Sequence, residues 1–457
     1  MLRRLKNELK NGLQERLQPE FPAAHGGYYG DSAGAMPQRP LFDTALPASF
    51  DAATEGVDLA RRTQSFFYSP RHTQYCARVD SAETIDPQHG YVVWAVAIGV
   101  WAQADLYART RMECDGAALD TAFRALERHW NPRRSAYCAW IYYDGNNDIY
   151  YDDNAHCVNA LISAYQATGK REYMDRVIAV MTQLVPTGWD KSGNPGGVPW
   201  HVAKPNSRNA CSTCALAVAA GRLALMNIQP QYFGDMLADF VKFTQAHLLD
   251  NNEHLIHDSI AYDGTKWKIE RVKWTYNTGF AIESFVLLYH LRGSQEHLDI
   301  AQKMASAALD RKGALYDKKA TDVSKRWWWD KTYFAQHLVD GLVALAKTLG
   351  PTNELSKRIE AELEHLDGYM RAYLFDPVDG LYFRSLRLYT IDDAHVQAYN
   401  ALTGGTRTLE ADKEERENGG GDVAHRRMAK TLLANAAVAR IYLRTAEIVP
   451  TIHLNTQ

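Results

Sequence analysis

Two consecutive carboxylates, Asp152 and Asp153, stand in the segment Ile149-Tyr150-Tyr151-Asp152-Asp153-Asn154-Ala155-His156, just ahead of an apolar run that predicts a helix from about Cys157. Neighbouring side chains on a regular helix diverge by about 100°. At a loop-to-helix junction the backbone is irregular, and both carboxyls can face one cavity. Carboxyls about 5–5.5 Å apart suit a retaining glycosidic displacement rather than an inverting one. Like charges that close split their titration, so one group stays ionised as a nucleophile and the other keeps its proton as an acid. The competing reading is structural: Asp is a good N-cap, and a second Asp in the first turn suits the helix dipole.

Other polar clusters are weaker. Asp392-Asp393-Ala394-His395 echoes the acidic pair and reads as a second helix cap. His254 and His257 with Asp258 have metal-ligand spacing, but no third distant ligand is indicated, and the reading is a solvated turn. Gly419-Gly420-Gly421 lacks the Lys-Ser/Thr ending of a phosphate loop and reads as a rim loop. Cys211-x-x-Cys214 has no second pair to complete a zinc site, and its Ala-rich setting predicts buried thiols.

The elements that must position these groups are helical. Long apolar-periodic segments alternate with loops from about residue 52 onward, and strand-like alternation is scarce. Segments 94–110, 160–184, 215–248, 281–309 and 338–366 repeat a helix–turn–helix theme, and 432–443 closes the series. The first helix of each unit is Ala-rich and apolar all round, as a doubly buried inner helix must be, and the second carries more Lys, Glu, Arg and Gln. Gly169, Gly293 and Gly350 stand where helices must stop, which suits left-handed C-caps. Six such hairpins closing on themselves predict an all-α, (α/α)6 toroid over residues 51–450, with an open superhelix as the alternative. Residues 1–50 read as a short amphipathic helix, Met1 to Leu17, and an irregular Pro- and Gly-rich arm.

The chain of 457 residues, 46% hydrophobic and 23% charged, affords one large core. A net charge of −3 and the lack of a basic stripe argue against nucleic acid as a partner. No apolar run is long enough to span a membrane, and the N-terminus has no apolar signal region. The expected location is cytoplasmic, with secretion after removal of a signal peptide as the alternative.

Three stretches resemble glycoside hydrolase family 76, which contains endo-α-1,6-mannanases and related fungal mannan-processing proteins. They are Tyr150-Tyr151-Asp152-Asp153-Asn154-Ala155 with Ala160 to Gly169, Gly196-Gly197-Val198-Pro199-Trp200 through Asn209, and Trp274-Thr275-Tyr276-Asn277-Thr278-Gly279. The resemblance implies a retaining hydrolysis of α-mannosides through a glycosyl-enzyme intermediate, with Asp152 as nucleophile and Asp153 as general acid/base. It implies no metal or other cofactor, and an oligo- or polysaccharide of α-mannan type as the binding partner. Trp200, Trp274 and Tyr276 are candidates for stacking on sugar faces, Asn209 and Asn277 for hydroxyl recognition, and Tyr151 for substrate contact within the acidic motif. Three consecutive indoles, Trp327 to Trp329, cannot all face one core, and Trp328 is taken as the cleft candidate. His156, where the family commonly carries an aromatic such as Trp, departs from the pattern, as does the Ala-Cys-Ser-Thr-Cys run after Asn209. Two alternatives use the same toroid: a sugar isomerase or 2-epimerase moving protons with His156, His337, His395 or His425, and a non-catalytic glycan-binding protein.

Overall fold

A computed structural model describes residues 50–77, 91–192, 195–417 and 420–449. The amphipathic segment from Met1 to Leu17, the arm up to residue 49 and Gly419 lie outside the described residues.

Six helices form an inner ring: α2 (Val93–Thr110), α4 (Tyr151–Thr168), α7 (Ala210–Leu225), α9 (Thr275–Arg292), α11 (Thr332–Leu349) and α14 (Leu432–Thr445). Each packs on the next, and α14 packs back on α2, so the ring is closed as the (α/α)6 reading predicts. Five outer helices follow their inner partners in sequence: α3 (Glu113–Glu127), α5 (Arg171–Ala179), α8 (Pro230–Phe243), α10 (Gln295–Ala308) and α12 (Glu354–Tyr369). The sixth outer helix is α1 (Ala52–Phe67), which packs on α14 from the opposite end of the chain. The series therefore opens with a lone outer helix, and its last hairpin is assembled from sequence-distant segments. Shorter helices, α6 (Val185–Gly188) and α13 (Asp393–Thr403), belong to the connections.

Composition explains the two layers. Every residue of α7 from Ala210 to Gly221 is buried, and small side chains let its neighbours approach on both flanks. The approach of α9 to α11 is tighter still. A Cβ on Gly279 would stand 2.1 Å from the His337 carbonyl oxygen, and one on Gly341 would stand 2.3 Å from the Gly279 carbonyl oxygen. The outer helices bury one stripe only, as α5 does with Tyr173, Met174 and Val177. Gly169 and Gly293 end α4 and α9 in the left-handed conformation. Gly350 also has positive φ, but its ψ of 162° extends the chain instead of capping α11 in that way.

Hairpins of two-residue strands follow α1, α3 and α12 and carry the buried tyrosines Tyr75, Tyr137 and Tyr382. Asn154 staples one hairpin to an inner helix, its Oδ1 accepting from Tyr137 N (2.7 Å) and its Nδ2 donating to Tyr137 O (2.9 Å). Asn435 repeats the device, accepting from Tyr382 N at 2.8 Å. The largest sheet has three antiparallel strands, Ser207–Asn209, Ser259–Tyr262 and Trp267–Glu270, and sits beside the starts of α7 and α9. No described helix is long and apolar enough to cross a membrane.

Candidate active site

The inner helices alternate with outer ones, so they run parallel and present their N-termini at one mouth of the ring. The first turns at that mouth carry Trp94 of α2, Asp152 and Asp153 of α4, Tyr276 of α9, and Tyr333 and Phe334 of α11, with Asn209 at the N-cap position of α7. Convergent helix N-termini are a favourable environment for anionic groups.

Helix α4 begins at Tyr151, six residues before the expected start near Cys157. The acidic pair therefore lies in regular first-turn backbone, not in a loop. Asp152 is half-buried, and Asp153, one step round the helix, is 1% exposed. The Asp153 amide donates to Asp152 Oδ1 at 3.0 Å, and Trp200 Nε1 donates to Asp152 Oδ2 at 2.8 Å. Both Asp152 oxygens are thus oriented, one by the helix and one by a distant loop. The capping reading is not what holds the pair, since the N-cap position is Tyr150 and no side chain caps the helix.

The loop that brings Trp200 is set by the Gly-Gly-x-x-Trp segment. Gly196 and Gly197 both have positive φ (83° and 76°), and a Cβ on Gly197 would stand 2.6 Å from the Phe243 ring. The chain crosses that ring closely and then pairs with the start of α4: Tyr151 N donates to Trp200 O (2.9 Å) and Val202 N to Ile149 O (3.2 Å). Tyr150 meets the Trp200 indole edge-on at 4.9 Å.

Within reach of the Asp152 charge is a second acidic group that the sequence reading placed in a solvated turn. Asp258 is half-buried, and its Oδ1 accepts from Asn277 Nδ2 at 3.2 Å. Burial raises its carboxyl to about 6; the charge of Glu270 and, less, that of Asp152 add to the rise, and the bond from Asn277 opposes it. The same loop turns His257 inward, 3% exposed, so the turn reading is corrected: the segment leads directly into the strand Ser259–Tyr262 and is pinned by it.

Tyr276 stacks on Phe334 with centroids 4.4 Å apart, and burial together with Cys211, Asp258, Asp152 and Asp330 pushes its phenol well up. Trp274 packs on Phe334 (5.6 Å) and Trp329 (4.8 Å). Asn209 is 5% exposed at the head of α7, and its side chain does not cap that helix. Asn277 is fully buried and acts on Asp258 rather than at an open surface.

Two candidates fall outside this group. The Tyr151 ring is 2% exposed and packs toward Gly188, its hydroxyl bonded to Thr187 Oγ1 at 2.8 Å. Trp328 is 3% exposed, with Nε1 donating to Ala308 O at 3.1 Å, so it is an anchor against α10. The half-buried Trp329 takes the place at the mouth that the sequence reading gave to Trp328.

Inside the ring, aromatic and imidazole side chains stack on one another. His156 stacks on Trp94 (5.7 Å) and on His337 (5.0 Å), and His337 stacks on Phe280 (4.3 Å). Burial lowers His337 to about 4 despite its contact with Asp340 (Nδ1 to Oδ2, 3.3 Å), so the ring is neutral at pH 7. His395 lies away on α13, bonded to Asp392, which caps that helix as expected. His425 is exposed.

With this geometry in view, comparison with known proteins decides the family. Glycosyl hydrolase family 76 matches residues 52–366. The chain belongs to that family. A Schizosaccharomyces pombe relative, the meiotically up-regulated gene 191 protein, is 33% identical over 399 residues, covering 82% of this chain and 88% of its own. Among solved structures, an inactive variant of the α-1,6-mannanase GH76A of Salegentibacter sp. HEL1_6, with two consecutive Asp changed to Asn and α-1,6-mannotriose bound, superposes with a TM-score of 0.65. It is 17% identical, and the match covers 87% of this chain and 100% of that one. The family 76 mannosidase Bt3792 of Bacteroides thetaiotaomicron gives a TM-score of 0.63 at 19% identity, covering 87% and 98%. At these identities the likeness to the solved structures shows the shared toroid of family 76.

Proposed function

We propose that this family 76 protein is a retaining glycoside hydrolase acting on α-mannosides, and that an α-1,6-linked mannan chain is its substrate. The observation that carries the reading is the consecutive pair Asp152-Asp153 at the mouth of the toroid, with Asp152 oriented by Trp200 at 2.8 Å. Support comes from the inactive Salegentibacter mannanase, in which two consecutive aspartates were the residues replaced.

In this reading the consecutive pair divides the work of a double displacement. Asp152 attacks the anomeric carbon while Asp153 gives its proton to the departing glycosidic oxygen, leaving a glycosyl ester on Asp152. Asp153, now a carboxylate, takes a proton from water, and the resulting hydroxyl displaces Asp152 from the anomeric carbon with a second inversion. Trp200 holds the Asp152 oxygen against rotation. Asp258, fixed by Asn277, accepts a hydroxyl of the sugar held over the pair, and Tyr276 and Trp274 supply apolar ring surface.

Incubation of the purified protein with α-1,6-mannooligosaccharides, beside Asp152→Asn and Asp153→Asn variants, tests this. The wild type is expected to shorten the chains, and each variant to be slower by at least about a thousandfold while melting at the wild-type temperature. Failure of the folded wild type to cleave any α-mannoside would overturn the substrate assignment.

A further inference from the structure

A second cavity of about 420 Å³ opens on the same mouth, walled by Asp250, Glu253, His257, Lys273 and Trp329. Its volume lies within the range of small-ligand sites. Lys273 is 8% exposed, and its ammonium donates to Asp250 Oδ2 (2.8 Å) and Glu253 Oε2 (2.7 Å). An ammonium carries three donors, so one remains for a ligand hydroxyl. Burial opposes ionisation of Asp250, but Lys273 and the backbone amides of Asn252 and Glu253 hold its carboxyl at about 2, a permanent acceptor. His257 is buried with Nε2 3.5 Å from Asp250. Trp329 is held by its Nε1 bond to Ala314 O (2.9 Å) and keeps part of its indole surface open on the cavity.

Fixed carboxylates, one ammonium and an indole surface are the groups that bind a sugar: acceptors and a donor for hydroxyls, and an apolar plate for the ring C–H face. The cavity is joined to the acidic pair in two ways. His257 and Asp258 are consecutive, one facing this cavity and the other within reach of the Asp152 charge. Trp329, Trp274, Phe334 and Tyr276 form an unbroken aromatic run with centroid spacings of 4.8, 5.6 and 4.4 Å.

We propose that this cavity is an accessory sugar subsite, holding a further monosaccharide unit of the glycan chain whose scissile bond lies at Asp152. The inference rests on the glycoside hydrolase reading above. Occupancy of both sites requires a chain that continues past the cleavage point, so the subsite makes the protein favour long chains.

The test compares kcat/KM on α-1,6-mannohexaose with that on α-1,6-mannotriose for the wild type, Trp329→Ala, Trp329→Phe and Lys273→Gln. The hexaose-to-triose ratio is expected to fall by about tenfold in Trp329→Ala and Lys273→Gln and to be largely restored in Trp329→Phe, whose ring keeps the stacking face. Ratios equal to the wild type in variants that fold overturn the subsite and leave the hydrolase reading standing. A folded wild type that cleaves neither oligosaccharide overturns the hydrolase reading and the subsite with it. Trp329→Phe and Lys273→Gln keep the comparison decisive if Trp329→Ala does not fold.

Discussion

Trp200 donates to Asp152, and Asp258 lies within reach of the Asp152 charge; each can be tested by one substitution. Trp200→Phe preserves ring packing against Tyr150 but deletes the donor at 2.8 Å from Asp152 Oδ2. A hydrogen bond to a charged group contributes about 1.5–3 kcal/mol, so kcat/KM is expected to fall about ten- to a hundredfold with little change in melting temperature. Asp258 ionises near 3.8 when unfolded and near 6 when folded, so the folded state binds its proton more tightly. Its contribution to stability is fullest below 3.8 and declines as pH rises to 6. Asp258→Asn removes that penalty, and the melting temperature of the variant relative to wild type should therefore climb between pH 4 and pH 7; a flat difference contradicts the burial of this carboxyl. The acidic pair was legible in the sequence because two adjacent Asp before an apolar helix are conspicuous. Asp258 was not, because its surroundings include Asn277 and Asp152, distant in sequence and brought near only in the closed ring. The exchange of Trp328 for Trp329 has the same origin: in the irregular segment before α11 no periodicity tells which of three consecutive indoles turns outward.

Helix α4 shows where element reading stops short. Its first six residues include Asp152, Asp153, Asn154 and His156, a polar run that reads as loop, yet these are helical positions that meet Trp200, a hairpin strand and the rings of Trp94 and His337. Polar residues at the head of an inner helix therefore mark the site rather than the helix boundary. The glycines divide in a similar way. Gly169 and Gly293 were legible as terminators, whereas Gly279, in Trp274-Thr-Tyr-Asn-Thr-Gly279, is mid-helix and serves close approach of α9 to α11. A methyl there meets main-chain atoms that cannot rotate away, at 2.1 Å from the His337 oxygen. Gly279→Ala is expected to destabilise the protein by at least about 1–3 kcal/mol, read from denaturant unfolding. Unchanged stability would mean that the two helices do not touch as described.

The whole ring was legible as six helical hairpins closing on themselves, but the make-up of the last hairpin was not, because the outer partner of α14 is α1, at the other end of the described chain. What secures that closure is buried and polar. Arg440 of α14, 1% exposed, donates to both oxygens of Asp340 on α11 (3.0 Å each), to Asp105 of α2 (3.0 Å) and to Gln336 (2.7 Å), and lies 3.8 Å over the Trp101 ring. A side chain so placed joins the three helices where the ring shuts. Arg440→Met leaves two carboxylates without their shared cation and is expected to cost about 3–5 kcal/mol in thermal or denaturant unfolding. Closure sets six helix N-termini around one mouth, where the acidic pair of α4 and the rings of Tyr276 and Phe334 stand in first turns. A double displacement at Asp152 is read from the anomeric configuration of the first products released from α-1,6-mannooligosaccharides, followed by NMR before mutarotation. Early α-configured product from the wild type, and none from Asp152→Asn, is the predicted result; early β-configured product would contradict a glycosyl-enzyme mechanism at this pair.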